Sequence, residues 1–553
     1  MRRRIPLPVV IGTLLAVAVT AIVATLPRHG ILAHTAADDA FYYFAIAKRA
    51  GDAHWPTFDG THTTTGFHPL WMFLLVPLAK AIASPWIFIR LAIAVSSLLM
   101  ISSALVFGSL FSRTWGTSAG SVGALLLVAS PGSARLGWMA MEAPLALVLL
   151  ALFLREAFRR RLRPARLGAF AGLAVLARLD MAIVVAVAIC WLFFVVRKLS
   201  VRAAAVAGAV AIALVAPYIA WNVVLTGHVQ TISAATKAFV ADSAATRVYG
   251  GRLTWGFAGR AVTELLRAAG EIARLSPATM IAGPVALAGG DHPAVVDSAR
   301  HGGAILLLSL CALVAGYFIT RRYAEQFAGS ARHDGAALLA VLLIASALHT
   351  GAACVLLTGQ SGPWYWGLEV VTLVAAASYA GARWQAALKL TSVLSGASLV
   401  SMAMLGGGLI ASRVAGNFDR RTSFASVMVE AGEALDARRS PGEVAGSCNA
   451  GTLGFFEPGT VNLDGLVNDW SFLEARRRGN IRGYLAREDV RWIVDCVPAA
   501  AMNDYRQAIG LRSDEIESIA TIPAPACVGF VWHVLPPPAE KSPLAAREGL
   551  TAD

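Results

Sequence analysis

The chain has 553 residues, 57% hydrophobic and 15% charged, with a mean hydropathy of +0.62. Soluble proteins carry about 25% charged residues, so this balance excludes an ordinary soluble enzyme and points to a polytopic membrane protein. The net charge of +13 does not imply nucleic-acid binding, because the arginines cluster in short segments between apolar runs, the pattern that orients helices in a bilayer.

The first apolar run, about Pro8 to Leu26, follows Arg2, Arg3 and Arg4. It is longer than a signal-peptide core and lacks a small-residue cleavage site, so it reads as a retained helix with a cytoplasmic N-terminus. Further runs lie near 87–111, 118–133, 143–157, 166–178, 181–197, 203–221, 303–320, 336–358, 364–382 and 390–411. Basic clusters punctuate them at Arg113, at Arg159 to Arg161 with Arg163 and Arg166, at Arg197 and Lys198 with Arg202, at Arg321 and Arg322, and at Arg383 with Lys389. Keeping every cluster inside gives about eleven crossings and an extracytoplasmic C-terminal region. The threading holds only if Gly66 to Ser84, "GFHPLWMFLLVPLAKAIAS", lies on the outer face without crossing.

Polar residues then gather on that face. Asp38 and Asp39 lie in the first outer loop, at 27–86. Arg135 and Glu142 lie in "ARLGWMAMEAPL", and Arg178 and Asp180 in "LARLDM". Asn222, His228, Ser233 and Lys237 open a long outer loop at 222–302, and Trp364, Tyr365 and Trp366 sit in "GQSGPWYW". Ionisable groups at membrane depth are costly and mark function. Each also has a plainer reading. The Asp pair suits a helix N-terminus, and Arg178 with Asp180 suits a local ion pair. Lys237 suits a solvated loop, and the tryptophans suit an interfacial aromatic belt.

Within the long loop, "TWGFAGRAVTELLRAAGEIARLS" has an apolar stripe of Trp255, Val262, Leu265, Leu266, Ala269 and Ile272, expected to face the membrane surface or cover the site. "ATMIAGPVALAGG" reads as re-entrant or buried. From Arg413 the character changes. "GEVAGSC", "GTVNLDGLV", "VRWIVDCV", "EIESIATI" and "VGFVWHVL" read as strands among short helices, giving a small α/β domain over 413–536. Its cysteines, Cys448, Cys496 and Cys527, allow one disulfide with one thiol left over. Residues 537–553 are Pro-rich and expected to be disordered.

Several stretches resemble the GT-C-fold glycosyltransferases, integral membrane enzymes that take sugars from polyprenyl-phosphate carriers. "DDAFYYFAIAKRAG" resembles the family's acidic pair after the first helix, and "GFHPLW" resembles its juxtamembrane segment. "MEAPL", "LARLD" and "GTLGFFEPGTVNLDGLVND" also resemble family segments. "LTGHVQTISAATK" resembles another but has Thr231 at a Pro position and Ala234 at a Gly position. The resemblance covers about the first 240 residues and part of the tail. It implies a GT-C-like module over 1–412 with outer juxtamembrane helices, a lipid-linked sugar donor, and a glycan, glycolipid or protein acceptor on the outer face. The nearest flavour is actinobacterial cell-wall arabinosyl- or mannosyltransferases.

Inverting transfer needs a base for the acceptor hydroxyl and a cation for the departing phosphate. Asp38 or Asp39 is the expected base, with Asp38 favoured as the first of the pair. The two point roughly 100° apart on a helix, so their roles can differ. Arg178, Lys237 and Arg135 are expected to bind the donor phosphate. Glu142 and Asp180 are expected to orient the site or bind acceptor hydroxyls. His68 and Trp71 are expected at the donor entrance, and Trp364 and Tyr365 are candidates for stacking on sugar rings. A magnesium, manganese or calcium ion at Asp38 and Asp39 is chemically compatible; no His/Cys spacing suits zinc. The competing readings are a flippase or transporter of lipid-linked sugars and a glycan-binding envelope scaffold. The first predicts inverted repeats, which the sequence lacks.

Overall fold

The computed structural model describes residues 5–34, 37–50, 56–249, 255–275, 333–356, 362–415, 423–524 and 527–535. The runs expected at 278–290, 303–320 and 537–553 lie outside these residues.

Helix α1 (Leu7–Ala24) is followed by α2 (Arg28–His34), α3 (Asp38–Arg49) and α4 (Pro69–Ala81). At 1.5 Å per residue, α4 is about 20 Å long, short of a hydrocarbon core about 30 Å thick. Lys48 donates to the carbonyls of Ala79, Ile82 and Ala83 and so caps the C-terminus of α4. Helix α5 (Pro85–Trp115) runs the other way beside α6 (Thr117–Val128).

The expected run at 118–133 is broken. Ser130 caps a new helix, α7 (Pro131–Trp138), with Pro131 in its first turn, where proline is tolerated. The chain then bends by 113° into α8 (Ala143–Ala157). The bend passes through Ala140 in the left-handed region, at φ 53°, which costs a non-glycine residue about 1–2 kcal/mol.

Helices α9 (Pro164–Ala177) and α10 (Met181–Cys190, continuing as a π-turn to Val195) lead to α11 (Val201–Thr226). Gly168 lets α9 and α11 touch; a Cβ there would lie 2.1 Å from the Ala207 carbonyl oxygen. Beyond α11 come α12 (Ile232–Tyr249) and α13 (Trp255–Leu275), then α14 (His333–Leu356), a 3-10 turn at Pro363–Trp366, α15 (Gly367–Arg383) and α16 (Gln385–Val414).

Among the described residues, five helices are long and apolar enough to cross a membrane: α1, α5, α11, α14 and α16; the bent α7–α8 pair makes up to six. About eleven crossings were expected; Thr117–Val128, Pro164–Ala177 and Met181–Val195 carry further expected runs as apolar helices of 10–17 residues, and the run at 303–320 lies outside the described residues.

Helix α13 forms where expected, and its apolar stripe is partly outward and partly packed. Ala268, Ala269 and Leu275 are buried, while Val262 and Leu266 are exposed. Glu264 is buried instead, paired to Arg260 and Arg267.

The tail begins with α17 (Phe424–Asp436) and holds a five-stranded sheet in the order β2-β1-β3-β5-β4. The strands are β1 (Val444–Ser447), β2 (Val461–Asn462), β3 (Val490–Val497), β4 (Ile516–Pro523) and β5 (Val528–Val534), one for each strand-like run of the sequence. β1 is parallel to β2 and β3, and β3, β5 and β4 are antiparallel. Between strands lie α18 (Ala450–Phe456), α19 (Trp470–Arg477), α20 (Ile481–Arg487) and α21 (Met502–Ala508). Cys496 and Cys527 form the disulfide, and Cys448 remains a thiol.

The tail shares its core with the helices. Phe455 and Phe456 on α18 pack with Phe41 and Phe44 on α3 and with Phe88 and Trp86 at the start of α5, at ring separations of 5.2–6.5 Å.

A disulfide closing a 31-residue separation stabilises by about 3–4 kcal/mol in the chain-entropy account. Reduction of the unfolded chain is expected to add two alkylation sites by mass spectrometry. The Cys496→Ala/Cys527→Ala protein is expected to lose the tail's protease resistance at a lower temperature than the wild type.

Candidate active site

Asp38 and Asp39 begin α3, where negative charge favours the helix dipole, but they do different work. The Asp38 carboxylate accepts from Gly451 N (2.9 Å), Thr452 N (2.7 Å) and the Thr452 hydroxyl (2.9 Å), so it caps α18, a helix 413 residues away in the chain. The approach requires glycine. A Cβ on Gly451 would lie 2.0 Å from the Asp38 carbonyl oxygen, and one on Gly454 would lie 2.4 Å from Phe58. Burial pushes the Asp38 carboxyl up to about 7, against the pull of these hydrogen bonds.

Asp39 hydrogen-bonds to no described residue. Burial raises its pKa, the Lys237 ammonium lowers it, and Glu142 raises it further. Asp39 is thus within electrostatic reach of Lys237 and Glu142, which come from α12 and from the bend before α8.

Glu142 and Lys237 belong to a charged cluster. Arg178, at the end of α9, donates Nη1 to Glu142 Oε1 at 2.8 Å. Its Nε and Nη2 grip both oxygens of Asp180 at 3.1 and 2.5 Å, and Nη1 also donates to the Trp364 carbonyl at 3.2 Å. A guanidinium has five N–H donors, so these four bonds nearly exhaust it. The Lys237 ammonium has three donors and gives one to the Tyr365 hydroxyl at 2.8 Å. The Tyr365 ring lies 4.7 Å from the Arg178 guanidinium carbon and 5.0 Å from Lys237 Nζ, a cation–π arrangement. The ring is thus held next to both cations of the cluster. Trp364 is half-buried and Trp366 fully buried.

His68 Nε2 lies 3.8 Å from Glu142 Oε1, and the His68 backbone N–H donates to the Tyr43 hydroxyl. Trp71 is fully buried on α4. Arg135 is exposed on α7, unlike Arg178 and Lys237. Among the described residues Glu142 Oε2, His68 Nδ1 and Trp71 Nε1 are buried without a hydrogen-bond partner. Such atoms are costly in a folded chain and are satisfied when a ligand or water reaches them.

Two residues escaped the sequence reading. His349 on α14 bridges Glu369 Oε1 on α15 (2.7 Å) and Asp180 Oδ2 (3.2 Å), extending the cluster to Glu369, His349, Asp180, Arg178 and Glu142. Their signal was an ionisable residue inside an apolar run, "ASALHTGAA" and "WGLEVV".

The Asp pair does not form an oxygen cage for a divalent ion. The Asp38 oxygens are committed to α18, and no group of three or more His, Cys, Asp or Glu among the described residues is arranged to hold a metal.

No family model and no curated protein matches the chain. Solved structures do. ArnT from Cupriavidus metallidurans bound to undecaprenyl phosphate superposes with a TM-score of 0.51 at 12% identity, over 94% of this chain and 97% of that one. The Archaeoglobus fulgidus oligosaccharyltransferase, in complex with zinc and sulfate, superposes with a TM-score of 0.50 at 14% identity, over 95% of this chain and 72% of that one. At such identities the shared property is architecture: the chain has the GT-C fold, a bundle of membrane helices with outer juxtamembrane helices and a small C-terminal sheet domain.

Proposed function

We propose that this protein is a membrane glycosyltransferase that moves a sugar from a polyprenyl-phosphate donor to a cell-envelope acceptor on the extracytoplasmic face. The observation that carries the reading is the meeting of Asp39, Glu142, Lys237 and Arg178, from four separate elements, beside the docked tail. The disulfide supports the extracytoplasmic assignment, because such bonds persist in oxidising compartments. The fold shared with ArnT supports a lipid-linked donor.

In this mechanism Asp39 takes the proton of the acceptor hydroxyl as its oxygen attacks the anomeric carbon. The bond from that carbon to the phosphate oxygen breaks, its electron pair stays on the phosphate, and the configuration inverts. Lys237, with two N–H donors to spare, neutralises the departing phosphate. Arg178 acts mainly as the hub that holds Glu142 and Asp180. The assignment thus moves the base from Asp38 to Asp39 and the first phosphate ligand from Arg178 to Lys237. The tail, roughly 413–536, forms the outer wall of the site. An arabinan- or mannan-type acceptor agrees with the sequence resemblance.

Asp39→Asn is expected to lower transfer from a radiolabelled polyprenyl-phosphate sugar by about 10²–10⁴-fold while the melting temperature stays near wild type. Asp38→Asn is expected to cost about 1–3 kcal/mol in the thermal unfolding of the tail and to leave transfer in the folded fraction. The reverse pattern would return the base to Asp38.

Because the base must be ionised, transfer rises with pH through the Asp39 pKa, which lies above the ordinary carboxylate range. Lys237→Met removes the cation that pulls this pKa down. Its pH–rate profile is therefore expected to shift its acid limb to higher pH, alongside a loss of roughly 10²–10³-fold in rate.

Arg178→Ala leaves the buried Glu142 carboxylate without its guanidinium partner and half-buried Asp180 with His349 alone. It is expected to destabilise the protein by about 3–5 kcal/mol, read as a lower melting temperature in detergent.

A further inference from the structure

The tail reaches the site through the turn "NLDGL" between β2 and α19. Asp464 Oδ2 accepts from the Tyr42 hydroxyl at 2.8 Å, and Oδ1 accepts from Leu466 N at 2.6 Å. Tyr42 lies one turn after Asp39 on α3, so the two share a helix face. On the other side, the Thr236 hydroxyl donates to the Gly465 carbonyl at 2.9 Å, and Thr236 immediately precedes Lys237. The turn is seated by close backbone contact, since a Cβ on Gly66 would lie 1.9 Å from the Leu466 carbonyl oxygen. Asp464 is thus held between the residues next to the base and the residues next to the cation. Each of its oxygens accepts one hydrogen bond and keeps capacity for another. Burial pushes its carboxyl up to about 6, and the Asp39 charge adds to the rise.

We propose that Asp464 is an acceptor-binding residue, whose carboxylate takes hydrogen bonds from neighbouring hydroxyls of an uncharged sugar. This rests on the glycosyltransferase reading. Asp39 and Asp464 together make this side of the site acidic, so it suits hydroxyl donors and repels phosphorylated or uronate acceptors. The tail then selects the acceptor, while the helices hold the donor.

The test uses the full chain in lipid nanodiscs and ligand-observed NMR with short neutral arabinan and mannan oligosaccharides, and separately undecaprenyl phosphate. Asp464→Asn is nearly isosteric: its amide oxygen can still accept from Leu466 N, while its NH2 would have to donate toward the Tyr42 oxygen. It is expected to weaken binding of the oligosaccharide by about tenfold or more, with undecaprenyl phosphate binding and melting temperature unchanged. Tyr42→Phe instead removes the Tyr42 docking bond but keeps the carboxylate, and is expected to stay within about twofold of wild type. Equal losses in both variants, no loss in Asp464→Asn, or failure of both oligosaccharides to bind wild type would overturn the proposal. Failure of wild type to bind undecaprenyl phosphate while an oligosaccharide still binds would instead count against the donor reading.

Discussion

The carboxylate of Asp38 on the first turn of α18 is the contact on which the site depends. It satisfies two of the N–H groups that every helix start leaves open, and adds a hydroxyl partner. Because the two helices are 413 residues apart in the chain, the contact fixes the tail against the first outer loop. The glycines at 451 and 454 let the backbones close up, and the phenylalanines of α3 and α18 fill the space behind. Once α3 is held this way, the next residue on it has little freedom. Asp39 is turned roughly 100° away from Asp38, within electrostatic reach of Glu142 and Lys237. One acid anchors the helix and so sets the direction in which the other points.

The second constraint is charge balance away from water. Arg178, Glu142, His349 and Glu369 are all buried. Isolated ions there would cost several kcal/mol each, so each is bonded to an opposite charge or to a group that can carry one. The grip of Arg178 on Asp180, Glu142 and the Trp364 carbonyl uses most of its donors. What makes it a good structural hub makes it a poor clamp for an incoming phosphate. Among the described residues Lys237 bonds to the same cluster through Tyr365 alone, which leaves donors for a ligand. The division of labour between the two cations follows from counting N–H groups, not from charge.

Much of the fold was legible in the sequence because it is written in local patterns. Each strand-like run of the tail became a strand, and the single disulfide with one spare thiol followed from three cysteines in the polar region. That the roles of Asp38 and Asp39 can differ was legible, but which acid anchors the tail was not, since Asp38's partners lie at the far end of the chain. Nor was the place of Tyr365, which in sequence is one of three aromatics and in space lies next to two cations. His349 and Glu369 looked like single polar residues in apolar runs, and only their pairing gives them meaning. On α13 the burial of Glu264 was not legible, because it rests on pairing with two arginines of the same helix.

The short helices and the cluster have a common origin. A bilayer tolerates non-helical backbone only where protein or water covers it, so every interruption of a helix must be walled in by other parts of the chain. Glu142 lies in the bend between α7 and α8, Arg178 and Asp180 lie in the gap between α9 and α10, and Trp364 and Tyr365 form the turn before α15. Each break frees carbonyls and N–H groups, and the cluster uses one of them directly when Arg178 takes the Trp364 carbonyl. Helices that stop early cannot span the bilayer unaided, but they end where polar side chains can meet. The breaks at the ends of the shorter helices thus supply Glu142, Arg178 and Asp180, long α14 adds His349, and α11, which faces outward over most of its length, contributes little.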